Sequence, residues 1–413
     1  MARAGKTITE AALRWPDLLE SGDLVVLGQA SAEPASLAKS LVAQRHLLSH
    51  VRAFVGIGFS DCARPEQGGG IAFQSYCGTG SNRRLGHALS ILPVPYDQLA
   101  QALSVARPVV LLSLAPGADA AHLSYGAGAD YPSELIANAR LVIAEVNSQA
   151  PRTGSGRDLR RDQLDLIVET DTALPSPVPV KATAVDQAIA RHVAAMIPNG
   201  ATLQIGLGAI PAAILEMLAD HNDLGIHSGL IGDGVAALAE AGVITNAFKS
   251  VDRGVSVCGV LAGGERLMRW ADANRSLAVR PTGFTHDPAI LRSIDSFVAL
   301  NSAIEVDLTG QVNAEVAGGR YVGAVGGAGV FLRGAHAARG GLPIIALPAT
   351  AGSRSRIVAA LSGPVSTARS DVGFVVTEYG AVDLRGADLA RRRALMLSIC
   401  DPAHRAALED AGP

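Results

Sequence analysis

A chain of 413 residues exceeds what one hydrophobic core usually holds, so two domains of about 200 residues each are expected. Apolar residues make up 48% and aromatics only 4%, so Ala, Val, Leu and Ile must fill the core of a soluble α/β protein. The formal charge of −3 gives no electrostatic reason to expect nucleic acid or an anionic membrane as partner. Four widely spaced cysteines (Cys62, Cys77, Cys258 and Cys400) without a C-x-x-C pair argue against zinc and against a disulfide framework, so no metal is expected.

Met1 to Leu19 carries Arg3, Lys6, Glu10, Arg14 and Asp17 with no long apolar run, which reads as neither a signal peptide nor a membrane span and fits a cytoplasmic protein. Asp23 to Gly28 reads as a short buried strand ending in glycine, and Pro34 to Leu47 follows with apolar residues at helical spacing, a βα unit. Similar pairs recur at Val105 to Ser113, at Leu135 to Ala139 leading into Leu141 to Val146, and at Leu164 to Glu169. Strands bounded by helices and lacking hairpin turns point to a parallel sheet covered on both faces. Gly68 to Gly70 and Gly78 to Arg84 read as loops.

The prolines of Leu174 to Lys181 enforce extended backbone, so this stretch is the expected linker, dividing an N-terminal domain (1–180) from a C-terminal one (181–413). Thr183, with Asp186 three residues on, predicts a helix start whose apolar stripe is Val185, Ile189, Val193 and Ile197. Ala201 to Gly206 reads as a strand, and Gly206-Leu207-Gly208-Ala209-Ile210-Pro211 leads into a helix over Ala212 to Ala219. A strand, a glycine-rich turn and a helix opened by proline suggest phosphate or oxyanion binding by backbone N–H groups. A dinucleotide site would need a third glycine where Pro211 stands and an acid closing the next strand, which instead ends His227-Ser228-Gly229.

Leu224 to His227 reads as a strand running into Gly229, Gly232, Asp233 and Gly234. This stretch resembles the active-site segment of the acetyl-CoA hydrolase and 4-hydroxybutyrate CoA-transferase family. Gly28 to Pro34, His122 to Asp130, Ala144 to Thr153, Asn301 to Glu315, Gly326-Gly327, Ser355-Arg356-Ile357, Thr377 to Gly380 and Leu384 to Gly386 follow that family's order and spacing, most densely from Gly206 to Gly386. The resemblance implies a class I CoA-transferase-like fold: two open, mostly parallel α/β domains facing across a cleft, in a homodimer. It implies coenzyme A as the acyl-CoA substrate (or a carrier-bound acyl thioester) and a second substrate that accepts the transferred group. It also implies a glutamate nucleophile at the position held here by Gly229. Oxyanion donors would be the N–H groups of Leu207 and Gly327, with Gly206, Gly208, Gly326 and Arg356 holding the CoA ester. Where the resemblance implies Gln and Asp, this chain has Ala328 and Val330, so a roomier and more apolar pocket is expected.

Substitutes for the nucleophile can be weighed from residue type and position. Ser228 would point to the opposite strand face from 229, Asp233 belongs to a turn, and Cys258 reads as a small buried hydrophobe. Glu305 and Glu315 sit in Asn301 to Glu315, a motif that, by resemblance, is shared with family members keeping the nucleophile. His227 and His286 are the candidates for proton transfer, His286 being favoured because its Thr-His-Asp-Pro segment, by resemblance, approaches the thioester. The expected function is acyl-CoA-dependent acyl transfer or hydrolysis made directly, without an enzyme–CoA intermediate. The alternatives are CoA transfer or acetyl-CoA hydrolysis by a substitute residue, and a non-catalytic acyl-CoA binder.

Overall fold

A computed structural model describes residues 5–67, 69–154 and 158–411; of the loop expected at Gly68 to Gly70, Gly68 lies outside them. By backbone proximity the chain divides into two compact units. The first takes the chain up to Val178 together with Leu230–Asp233 and Val257–Thr285; the second takes Pro179–Gly229, Gly234–Ser256 and the chain from His286 on. The proline-rich segment at 174–181 has no regular structure and leaves Val178 and Val180 exposed.

In the first unit, runs such as Leu24–Leu27 and Val109–Pro116 are buried almost throughout, as strands covered on both faces must be. The sheet runs Lys6–Ile8, Leu166–Thr170, Leu141–Asn147, Val109–Pro116, Leu24–Leu27, Val51–Phe54, Ile71–Ser75 and Leu89–Ile91, with every neighbour parallel. Val26 pairs with Val110, and Leu111 with Ile143. The strand expected from Val105 begins only at Val109, because Leu99–Ser104 ahead of it is helical. Likewise the helix expected at 135–139 forms earlier, over Asp130–Leu135.

Strand order reverses where Leu24–Leu27 and Val109–Pro116 lie side by side, so the loops leaving their carboxyl ends diverge. There a buried polar network fixes the Gly28–Pro34 loop. The Gln29 side-chain oxygen accepts from Ile57 N–H and from the Tyr76 hydroxyl, both at 2.9 Å. Its amide donates to Asp130, whose carboxylate also accepts from Tyr96 (2.7 Å) and Thr282 (2.8 Å).

The second unit holds the parallel order Gly225–Ile231 (in this unit as far as Gly229), Thr202–Gln204, Phe297–Ser302, Leu342–Ala346 and Phe374–Thr377, closed by antiparallel Gly380–Asp383. The capping box forms as the residue types dictate: Thr183 accepts from Asp186 N–H and Asp186 from Thr183 N–H, starting the helix Ala184–Ala194. Two boundaries differ from expectation. Helix Ala209–Met217 starts before Pro211, because Gly208 adopts φ +122° as N-cap and Pro211 fits within the first turn. The strand expected to end at His227-Ser228-Gly229 runs on to Ile231, so Gly229 lies within the strand rather than at its end.

Candidate functional site

The turn Ile205–Gly208 leaves the strand Thr202–Gln204 at the point where strand order reverses in the second unit, between Thr202–Gln204 and Phe297–Ser302. It is held to the neighbouring strand by Ser228, whose hydroxyl donates to Ile205 O at 3.0 Å and accepts from Ile205 N–H at 3.3 Å. Ser228 is therefore occupied on the face opposite Gly229, as strand alternation requires. Leu207 is 38% exposed at the tip of the turn, flanked by Gly206 and Gly208.

Alternation also puts His227 and Gly229 on one face of the strand Gly225–Ile231. His227 is fully buried, edge-on to the Phe297 ring at 6.5 Å. A Cβ built on Gly229 would stand 2.8 Å from His286 Cε1, 3.0 Å from Nε2 and 3.7 Å from Phe331 Cε2. On the other side, a Cβ on Gly327 would stand 2.7 Å from His286 Nε2, 2.9 Å from Cδ2 and 3.1 Å from Phe331 Cε2. The His286 ring thus fills the space beside two glycines, and the roomier pocket expected at Gly229 is occupied there by imidazole.

Local sequence explains why the ring is held firmly. Asp287 caps the helix Pro288–Arg292, its carboxylate accepting from Ala289 N–H at 2.7 Å, and Pro288 opens that helix with its fixed φ. Gly327 is the N-cap of Ala328–Ala337, preceded by Gly326 at φ +58°. From that helix Phe331 packs its ring 4.5 Å from that of His286. Val330 is 3% exposed and belongs with Leu291, Phe297, Phe331, Ile345, Val375 and Met396 to the core of the unit, so its side chain packs inward rather than lining an open pocket.

Burial dominates the electrostatics. His286 is only 3% exposed, and burial, reinforced by His227, pulls its pKa down to about 3. At neutral pH the ring is uncharged, offering one N–H donor and one acceptor nitrogen. Arg356 is half-buried; burial lowers its pKa, against the opposing pull of Glu378 and Asp186. Glu305 accepts from Ser362 N–H (2.6 Å), Gly363 N–H (3.2 Å) and Asn313 (2.9 Å), and Glu315 from Ser366 (2.7 Å) and Tyr321 (2.9 Å). Both carboxylates are engaged in loop-fixing hydrogen bonds. Asp233 accepts from Gly264 N–H and Leu267 N–H, and Cys258 is fully buried. Among the described residues no group of three or more His, Cys, Asp or Glu is placed to hold a metal, and no helix is long and apolar enough to cross a membrane.

The structure thus brings Gly229, Gly327 and His286 together, with His227 on the same strand face and the Leu207 turn tied to the adjacent residue. Phe331, the aromatic wall of the site, was not singled out from sequence. Its signal was available, since it lies four residues after Gly327, one helical turn along.

Comparison with known proteins places the chain in a class. Residues 263–412 match the acetyl-CoA hydrolase/transferase C-terminal domain. The 4-hydroxybutyrate coenzyme A transferase of Clostridium kluyveri is 39% identical over 291 residues, covering 70% of this chain and 68% of that one. RipA from Yersinia pestis superposes with a TM-score of 0.92 at 30% identity, covering 98% of this chain and 96% of that one. The 4-hydroxybutyrate CoA-transferase from Porphyromonas gingivalis gives 0.82 at 28%, with the same coverage. The fold is that of the class I CoA-transferases. The chain belongs to the acetyl-CoA hydrolase/transferase family.

Proposed function

We propose that this chain is an enzyme that binds an acyl-CoA and passes its acyl group directly to water or to a non-carboxylate acceptor, without a covalent enzyme–CoA intermediate at position 229. One observation carries the reading: Gly229 has no side chain to attack with, and the His286 ring fills the space a side chain would need. Leu207 and Gly327 supply backbone N–H groups for the thioester oxyanion in this reading, while Gly206, Gly208, Gly326 and Arg356 hold the CoA portion. The neutral imidazole near Gly327 suits an uncharged acyl carbonyl better than a carboxylate acceptor. A soluble, cytoplasmic homodimer using coenzyme A or a carrier-bound thioester accompanies this proposal.

The test is product analysis of the pure protein incubated with a panel of acyl-CoA esters, with and without alcohol, amine and carboxylate acceptors. Steady release of CoA with acyl transfer to a non-carboxylate or to water is expected; transfer of CoA to a carboxylate would refute direct acyl transfer. A second reading, an acyl-CoA binder without turnover, draws on the same buried ring, since a histidine so reluctant to take a proton is a poor general base. Thermal stabilisation by CoA esters with no thioester consumed would favour it.

A further inference from the structure

Between Glu315 and Asp371 the chain runs for 55 residues (370 − 315) with six arginines and no Asp, Glu or Lys, although its formal charge as a whole is −3. Two of these arginines are matched by acids outside the stretch: Arg333 pairs with Asp371 at 3.0 Å and Arg339 with Asp295 at 2.5 Å. Arg320 and Arg354 are exposed, and among the described residues neither side chain has an ion pair or a hydrogen bond. Each stands on a two-stranded hairpin, at 316–321 and 350–355. The turns need exposed glycines in the left-handed region, Gly318 at φ +56°, Gly319 at +76° and Gly352 at +60°. A Cβ on any of the three would meet no atom within 4 Å, so both tips stand clear. Their feet are fixed, Val322 N–H donating to Glu315 O and Arg356 N–H to Ala349 O, both at 2.8 Å.

Strand register sets the hairpins side by side. Val312–Asn313 and Ile357–Val358 flank Glu305–Asp307 in a three-stranded sheet, Glu305 opposite Asn313 and Val306 opposite Ile357. The first hairpin leaves this sheet after Asn313 and the second enters it before Ile357, so both spring from its Glu305 end, two strand spacings or about 10 Å apart. Gly327 follows Arg320 by seven residues (327 − 320), which keeps the two within about 25 Å.

We infer that the two hairpins form a docking surface for a folded carrier protein with an acidic face, which presents the acyl thioester on a phosphopantetheine arm. This rests on the proposed function and names its acyl donor. Small ligands are taken into concave sites, whereas these guanidinium groups are displayed on open tips, which suits the convex face of a protein partner. A guanidinium fork matches a carboxylate with two parallel hydrogen bonds, and the hairpins carry no acid of their own to compete for it. Glu315, at the foot of the first, is buried and accepts from Ser366 and Tyr321. Positive charge gathered in one place on an otherwise acidic chain also orients the encounter with an acidic partner. Arg356, half-buried two residues beyond Arg354, is placed to meet the phosphate at the head of the arm, a group that CoA and a carrier share.

The experiment reads binding and turnover separately, with a purified acidic acyl carrier protein bearing phosphopantetheine as the probe. Fluorescence anisotropy of the labelled carrier is expected to show binding to the wild type, weakened roughly ten-fold or more in Arg320→Glu/Arg354→Glu and weakened likewise for the wild type between about 20 and 200 mM NaCl. Both substitutions lie on exposed hairpins, and a melting temperature equal to wild type verifies that the variant is folded. With the same acyl groups loaded on the carrier and on CoA, kcat/KM for the carrier should fall with its affinity while that for CoA stays within about three-fold. Equal losses with the two donors would assign the arginines to the phosphates of CoA and overturn the docking surface. Carrier binding that the double variant retains, or no binding by the wild type at low salt, would overturn it as well. If the carrier binds through the arginines but no thioester is consumed, the surface stands and the proposed function falls; turnover of acyl-CoA by a protein that never binds the carrier does the reverse.

Discussion

His286 Cε1 lies 2.8 Å from where the first side-chain atom of any residue replacing Gly229 would stand, and the two positions are 57 residues apart in sequence (286 − 229). The ring is buried and backed by Phe331, so it has little freedom to withdraw.

Gly229→Ala is therefore expected to destabilise the second unit by about 1–3 kcal/mol through overpacking, read as a shift of the urea midpoint without a change in slope. Gly229→Glu alone should form no CoA adduct, because its carboxylate cannot reach the place that the imidazole holds. The double variant Gly229→Glu/His286→Ala frees that place, and an adduct is expected there. Adduct formation by the single variant would show that the ring yields easily.

Val330→Asp looks from sequence like a return to the family pattern that should raise transferase activity. The structure predicts the opposite. Val330 is packed with Phe331 and Leu291 in the core, so a carboxylate there costs on the order of 3 kcal/mol or more. A melting temperature unchanged from wild type would contradict this placement.

What was legible in the sequence was what local chemistry decides. The apolar runs at Leu24–Leu27 and Leu141–Asn147, and the Thr183–Asp186 box, announced strands and a helix start because their patterns are set by near neighbours. Gly208 misled because a left-handed N-cap lets a helix begin ahead of Pro211. The meeting of Gly229, His286 and Gly327 was hidden because three distant segments make it. Sequence offered a missing side chain at 229 but nothing to say what fills the gap.

Glu145 and His286 give opposite pH signatures. Burial raises the Glu145 pKa from 4.5 to about 7 despite hydrogen bonds from Ser36 and Leu37 N–H. A raised folded pKa means that this contribution is full below about pH 4.5 and is lost as pH rises through 7, by up to about 3 kcal/mol. Glu145→Gln should flatten the fall in stability between pH 5 and 8 measured by urea denaturation. A slope equal to wild type would exclude Glu145 as its source.

For His286 the folded pKa is depressed, from 6.5 to about 3, so its contribution is present above pH 6.5 and drains away as pH falls toward 3. His286→Gln should lose less stability than wild type between pH 6.5 and 4, a difference of as much as about 3 kcal/mol. Hydrogen exchange of the helix Ala328–Ala337 at the two pH values provides the local reading; equal acid sensitivity in both proteins would place the depressed histidine elsewhere.

The central claim, direct transfer without a covalent enzyme–CoA species, is tested most directly by intact mass of the wild-type protein during turnover of an acyl-CoA, sampled before and after borohydride. The account predicts an unmodified protein mass while acyl-CoA is consumed. A mass increase equal to CoA, located by peptide mapping at a carboxylate, would contradict it.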